Sequence, residues 1–263
     1  MFGYPRFPYA TAILALAMLV PYFMASQGTL YLSDEEVFLS SFSLSQVAGL
    51  VTHLFTHVGA FHLAGNLVPL ILFTLLLETM LSSLSVFALF LTAGIFSSIV
   101  FSLLNPGAYL VGSSAAVSSL MAAATALKPK YAVFMLIATP LLISFFVFPA
   151  VSALITSEQE DYATQQALLQ IRAQSLAEEN KTIEAAAANA SANAYAQKVD
   201  LVEKGRERES QTQTDFFVHF YGALYAVLFL AAFKRPELDK GALEFSKLHA
   251  AARGAWAKFR GRA

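Results

Sequence analysis

The residue types best suited to covalent chemistry in this chain lie inside apolar segments. Four of its five histidines stand in stretches that contain no Lys, Arg, Asp or Glu: His53, His57, His62 and His219. Ser114, in the sequence G-S-S-A, opens another apolar run. Polar groups are costly in lipid and usually mark a functional site there. A hydroxyl and several imidazoles in separate apolar segments therefore point to nucleophilic chemistry within a membrane.

Ser114 and His219 are the candidate nucleophile and base. A serine hydroxyl becomes a good nucleophile only when a base takes its proton, and imidazole suits that task near neutral pH. Small residues follow Ser114 and also flank Gly222, so the two helices that carry the pair can pack closely in a membrane. The alternative role for Ser114, or for Ser113 beside it, is an N-cap at the start of a helix.

His62 and Asn66 are candidates for binding an oxyanion. They are four positions apart and therefore share one face of a helix. Both side chains can donate hydrogen bonds to a carbonyl oxygen that becomes negative. Two alternatives remain open. The pair could link neighbouring helices through hydrogen bonds, or His53, His57 and His62 could bind a metal ion, although the metalloprotease pattern H-E-x-x-H is absent.

The composition is that of an integral membrane protein. Hydrophobic residues occupy 57% of the 263 positions and charged residues 13%, whereas a soluble domain has about 25% charged residues. The net charge of −1 gives no reason to expect nucleic-acid binding. Cysteine is absent, so disulfides and thiolate chemistry are excluded.

Runs without charged residues predict an all-α protein with six transmembrane helices, since one span needs about 20 apolar residues. The charge-free run from 79 to 127 is divided by the turn signal Asn105-Pro106-Gly107. Residues 37–58 are more polar and are expected to form a loop with interfacial helices. The predicted spans are about 8–26, 60–78, 83–104, 112–127, 131–155 and 216–233.

The charge distribution predicts an orientation and a long insertion. Arg6, Lys128, Lys130 and the basic residues after position 233 fall on one side of a six-helix bundle, which the positive-inside rule assigns to the cytoplasm. Both termini are then cytoplasmic. The chain divides into five helices in 1–155, an external insertion in 156–215, a sixth helix in 216–233 and a basic tail in 234–263.

The insertion and the tail each leave two interpretations open. The insertion is rich in Ala, Gln and Glu, which favours a helical hairpin or a short coiled coil, with disorder as the alternative. The tail is basic with interspersed apolar residues, which is typical of an amphipathic helix on anionic lipid. An unstructured basic tail is the alternative.

The motifs resemble those of the rhomboid intramembrane serine proteases. H-x-x-x-N lies in the second predicted helix, G-x-S opens the fourth, and H-x-x-G lies in the sixth. An upstream T-x-x-F-x-H and an acidic residue at the end of the second helix are also similar to the family. The positions are His62 and Asn66; Gly112 and Ser114; His219 and Gly222; Thr52, Phe55 and His57; and Glu78. The chain departs from the family at Ala115, where glycine is often found, and in its first external loop, which lacks the usual Trp-Arg pair.

The resemblance implies a six-helix bundle that carries a Ser–His dyad. Ser114 would be the nucleophile, and His219 the general base that later protonates the leaving amine. His62, Asn66 and the backbone N–H of Ser114 would form the oxyanion hole. No cofactor and no metal ion would be needed.

The resemblance also implies supporting residues and a class of substrate. Gly112, His57 and Gly222 would support the reacting groups. The substrates would be transmembrane segments of other proteins, cleaved in a cavity open to the external face of the lipid bilayer. The alternative is an inactive relative that binds the transmembrane helices of client proteins.

Overall fold

The computed structural model describes residues 7–211 and 216–260, and within these ranges the chain is helical and forms no strand. A five-residue π-helical segment, Ile143–Val147, joins the seventh α-helix to the eighth without a break. The α-helices in chain order are α1 Tyr9–Ala25, α2 Asp34–Ser40, α3 Gly49–Thr52, α4 Ala60–Glu78, α5 Ser83–Leu104, α6 Ser114–Leu127, α7 Pro129–Leu142, α8 Phe148–Glu178, α9 Thr182–Gln211, α10 Phe216–Phe233 and α11 Arg235–Arg260.

Four helices are long and apolar enough to cross a membrane: α4, α5, the continuous 50-residue helix Pro129–Glu178, and α10. Two other apolar helices, α1 and α6, have only 17 and 14 residues. At about 1.5 Å per residue, α6 extends about 21 Å, which is less than the hydrocarbon thickness of a bilayer. The four long helices support an integral membrane protein, and the count of six spans remains a prediction.

Local sequence signals explain where several helices begin and end. The Ser82 hydroxyl accepts a hydrogen bond from the Ser85 N–H at 3.3 Å and so caps the start of α5. The Asn105-Pro106-Gly107 turn follows α5, and Gly107 has a φ of +86°, which glycine adopts readily. Pro129 occupies the first turn of α7, where no backbone donor is needed.

The helix of the fifth predicted span extends beyond that span. The span was predicted at 131–155, with a helical hairpin as one interpretation of the insertion in 156–215, and the helix continues without a break through α8 to Glu178. Neither Gly nor Pro occurs between 150 and 178, and the Ala, Gln, Glu and Leu residues there propagate a helix in water as well as in lipid. Asn180, with a φ of +61°, then reverses the chain, and α9 returns along α8 with the rings of Tyr162 and Tyr195 6.2 Å apart.

The core of the bundle lies between α1, α4, α5, α6 and α10. Fully buried apolar side chains from these helices form one cluster, which includes Leu14, Met18, Leu70, Phe73, Leu89, Phe90, Leu120 and Leu230. Close packing of this kind holds helices together in a membrane, where water does not drive them together.

Glu78 ties the start of α1 to the end of α4. Its carboxylate accepts from the N–H groups of Ala10 and Thr11 at 2.9 and 3.1 Å and from the Thr11 hydroxyl at 2.6 Å. The Ser83 hydroxyl donates to the same carboxylate at 2.5 Å. A single carboxylate therefore caps the first turn of α1 and also holds the beginning of α5.

Candidate active site

The first turns of α4, α6 and α10 enclose a cavity of about 720 Å³. Four residues singled out from the sequence line it: His62 and Asn66 from α4, Ser114 from α6, and His219 from α10. These residues lie as many as 157 positions apart in the chain (219 − 62 = 157). The fold thus brings the hydroxyl, both imidazoles and the amide to the wall of one cavity.

The two adjacent serines at the start of α6 have different surroundings. Ser113 occupies the N-cap position but makes no capping hydrogen bond with its side chain. It is fully buried, and its hydroxyl lies 3.4 Å from Nε2 of His57. Ser114 is the first residue of the helix, is only partly buried, and lines the cavity. Of the two residues, Ser114 is the one that lines the cavity.

Gly112 lets an imidazole approach the backbone directly ahead of Ser114. Its φ of +100° is a conformation that residues with a side chain rarely adopt. A Cβ at this position would lie 2.6 Å from both Cε1 and Nε2 of His62. The Gly112 N–H donates to the His53 carbonyl at 2.8 Å, which fixes the turn. Position 112 therefore requires glycine for two reasons: its positive φ angle, and the closeness of the His62 ring.

His62 and Asn66 lie one turn apart on α4. The Asn66 side-chain amide donates to the His62 carbonyl at 2.9 Å. An amide group has two N–H donors, so one remains for a ligand in the cavity. Nδ1 of His62 is buried and has no hydrogen-bond partner among the described residues. Both residues line the cavity, and polar side chains that can donate hydrogen bonds there are what an oxyanion needs.

His57 packs behind the cavity rather than facing it. It is fully buried, and its ring meets that of His62 edge to face with centroids 5.0 Å apart. Burial, with a smaller contribution from His62, lowers the pKa of His57 well below its usual range. The ring is therefore neutral at physiological pH and links the Ser113 hydroxyl to the His62 ring by direct contact.

His53 has a structural position. Its Nδ1 lies 2.8 Å from the Gly49 carbonyl and its Nε2 lies 2.7 Å from the Ser98 hydroxyl. Burial lowers the pKa of His53 to about 4. Both ring nitrogens are thus engaged, and within residues 7–211 and 216–260 no cluster of three or more His, Cys, Asp or Glu side chains is placed to hold a metal ion.

Gly222 brings α10 against α6. A Cβ on Gly222 would overlap the Ala115 carbonyl oxygen and lie 2.9 Å from the carbonyl carbon. Ala115 and Val218 are buried together with Phe101 beside this contact. Because His219 is less than one turn before Gly222 and Ala115 follows Ser114, this backbone contact holds the helices of the candidate base and nucleophile together.

Glu209 lines the same cavity and was not anticipated from the sequence. It lies near the end of α9, and its carboxylate accepts a hydrogen bond from the His62 backbone N–H at 2.5 Å. Residues 201–211 contain three glutamates on an otherwise ordinary polar helix. No local signal distinguishes Glu209 from these neighbours, because its role depends on a contact 147 positions away.

Comparison with known families assigns the central part of the chain. Residues 44–165 match the family model described as the Rhomboid domain. The match includes His57, His62, Asn66 and Ser114, and ends before the helix that carries His219. No curated protein and no solved structure matches the chain.

Proposed function

Since the chain belongs to the rhomboid family, we propose that it is an intramembrane serine endopeptidase that cleaves transmembrane segments of other membrane proteins. The observation that carries this proposal is the cavity. Ser114, His219, His62 and Asn66 line it together, although they come from three different helices. Each of the four helices that are long and apolar enough to cross a membrane contributes to its lining.

In the first chemical step, the Ser114 hydroxyl oxygen attacks the carbonyl carbon of the scissile peptide bond. His219 accepts the hydroxyl proton as the new C–O bond forms. The carbonyl oxygen becomes negatively charged, and donors from His62, Asn66 and the Ser114 backbone N–H stabilise it. Donors already fixed by the fold stabilise this charge without the cost of reorienting water.

In the second step, the C–N bond breaks and His219 gives its proton to the leaving amine. The product is an acyl-enzyme ester on Ser114. Water then attacks the ester carbonyl, His219 takes a proton from that water, and the proton returns to the Ser114 oxygen as the carboxylic acid leaves. The same base therefore serves both halves of the reaction.

The proposed enzyme crosses the membrane six times with both termini in the cytoplasm. Helices α1 and α6 are then short spans inside the bundle. Their contacts with neighbouring helices make this short length tolerable. The long α8–α9 pair and the cavity lie on the external side. The positive-inside distribution of Lys and Arg supports this orientation.

Labelling with a fluorophosphonate tests the proposal directly. This reagent forms a covalent bond with an activated serine, and we expect the full-length protein in detergent to be labelled. Labelling should disappear in Ser114→Ala and in His219→Ala. Cleavage of a reconstituted transmembrane substrate should be lost in the same two variants.

Ser113→Ala is the matched control, since it removes the neighbouring hydroxyl from a buried position outside the cavity. It should remain labelled. Labelling that persists in Ser114→Ala but is lost in Ser113→Ala would refute the assignment of the nucleophile. A wild-type protein that is neither labelled nor active would favour the inactive, helix-binding relative.

A further inference from the structure

The first turn of α4 lacks a cap from its own sequence. Gly59 occupies the N-cap position, has no side chain, and so makes no capping bond. The first N–H groups of a helix have no partner within the helix and are usually satisfied by a side-chain oxygen at the N-cap. This helix carries His62 and Asn66 in its first two turns, so the uncapped end is the end that faces the cavity.

Glu209 supplies the missing cap from α9. Its Oε1 accepts from the His62 N–H at 2.5 Å. A Cβ on Gly59 would lie 2.7 Å from Oε2 of Glu209 and 2.6 Å from Cε1 of Tyr31. Glycine at the N-cap position therefore leaves space for a carboxyl group that arrives from another helix.

Contacts made by residues 205–209 hold α9 in this position. A Cβ on Gly205 would lie 2.5 Å from Cδ1 of Tyr31, so the helix backbone rests on that ring. Arg208 donates to the Leu32 carbonyl at 2.8 Å and forms an ion pair with Asp34. These contacts share one face of α9, since residues three and four apart are neighbours on a helix.

We propose that Glu209 is a positioning residue, which caps the helix of His62 and Asn66 and so makes the α8–α9 pair part of the catalytic architecture. The proposal rests on the proposed function, in which those two side chains bind the oxyanion. Frayed first-turn amides would let His62 move relative to Ser114. Because the oxyanion forms only during reaction, the loss should lower kcat and leave KM nearly unchanged.

Three variants test this role in the full-length protein with a reconstituted transmembrane substrate. Glu209→Ala removes the acceptor and should lower kcat about fivefold, which is the effect of losing one helix cap of ordinary strength. Glu209→Gln keeps an acceptor oxygen of the same reach and should restore kcat to the wild-type level or above. Glu207→Ala is the matched control, because Glu207 lies on the exposed side of the same turn and should leave kcat unchanged.

Hydrogen exchange of the Phe61 and His62 amides provides a readout that does not depend on activity. Exchange should be faster in Glu209→Ala and close to wild type in the Gln and Glu207 variants. Unchanged exchange in Glu209→Ala would overturn the cap, and faster exchange with an unchanged kcat would overturn the positioning role. A raised KM with constant kcat would also overturn it, since that result describes control of substrate access.

If the wild-type protein shows no labelling and no cleavage, the proposed function fails and the positioning role fails with it. The exchange measurement still decides, separately, whether Glu209 caps α4.

Discussion

Replacing Gly222 with alanine should separate the two helices that carry the proposed dyad. The new Cβ would overlap the Ala115 carbonyl oxygen and lie 2.9 Å from the carbonyl carbon. Non-bonded carbon atoms rest at about 3.5–4.0 Å, so the contact with the carbonyl carbon alone requires α10 and α6 to move apart by roughly 0.6–1.1 Å, and the nearer carbonyl oxygen requires at least as much. The obstacle is backbone rather than a flexible side chain, and it cannot rotate away.

The magnitude of the effect follows from this displacement. A misplacement of about 1 Å between reacting groups costs on the order of 100-fold in rate. Overpacking at such a contact destabilises by about 1–3 kcal/mol, whereas alanine favours a helix over glycine by about 1 kcal/mol. We therefore expect a large loss of reactivity with a smaller loss of stability.

The assay measures the rate of fluorophosphonate labelling and the thermal midpoint of the same samples in detergent. The matched control is Gly254→Ala, because a Cβ on Gly254 meets no atom within 4 Å. That control should keep the wild-type labelling rate. A wild-type labelling rate and an unchanged thermal midpoint in Gly222→Ala would refute this reasoning. They would show that the close approach of α6 and α10 does not determine the relative position of Ser114 and His219.

Three further predictions concern the cavity wall, the bundle and pH. Gly112→Ala places a Cβ 2.6 Å from the His62 ring at a φ of +100°, so labelling should fall on the order of 100-fold while helix content, measured by circular dichroism, is retained. A wild-type labelling rate would contradict this. Glu78→Ala removes the acceptor for the Ala10 N–H and its neighbours, so the free energy of unfolding, from denaturant titration in detergent, should fall by about 1–3 kcal/mol; an unchanged value would show that the carboxylate is dispensable. Burial raises the pKa of Glu209, so its docking is strongest below the ordinary carboxyl pKa and weakens as pH rises through the raised value. The exchange protection of the α4 amides in wild type, divided by that in Glu209→Gln at each pH, should fall with increasing pH, and a flat ratio would contradict the assignment.

Much of the bundle could be predicted because charge-free runs map directly onto helices in lipid. Helices α4 and α10 coincide with the predicted spans at 60–78 and 216–233. The fifth span, predicted at 131–155, is part of a longer helix for a physical reason. Hydropathy changes at about 155, but the Ala, Gln, Glu and Leu residues that follow favour helix, so the helix continues to Glu178. Hydropathy locates the membrane segment and leaves the end of the helix undetermined.

The candidate site could be predicted only where the chemistry is encoded by residue type. Ser114 and His219 are unusual in their apolar surroundings, and the cavity contains both. Glu209 is an ordinary residue on a polar helix, and its contact with His62 depends on how α9 packs against the bundle. His53 shows the opposite case: its residue type suggested chemistry, but hydrogen bonds to Gly49 and Ser98 occupy both ring nitrogens.

The position of Glu209 raises an electrostatic question for the proposed reaction. An ionised carboxylate in the cavity would oppose the negative charge that develops on the oxyanion, because charges interact strongly where water is excluded. The groups around the carboxyl do little to offset this. The His62 amide donates a hydrogen bond to it, the Tyr31 hydroxyl lies near it without a hydrogen-bond partner among the described residues, and Glu158 is a second nearby acid. The nearby basic residue Arg206 acts on Tyr31. The other titratable side chains that line the cavity are His62, Tyr109 and His219, and His219 is the proposed base.

Burial resolves part of this conflict, since it raises the pKa of Glu209 and favours the neutral acid. A neutral carboxyl group still accepts the His62 N–H through its carbonyl oxygen, and so it caps α4 without adding negative charge beside the oxyanion. Glutamine has the same shape and is neutral at every pH. If capping is the function of this side chain, Glu209→Gln must therefore match or exceed wild-type kcat at neutral pH. A variant that caps α4 in hydrogen exchange but loses activity would show instead that the negative charge itself takes part in the reaction.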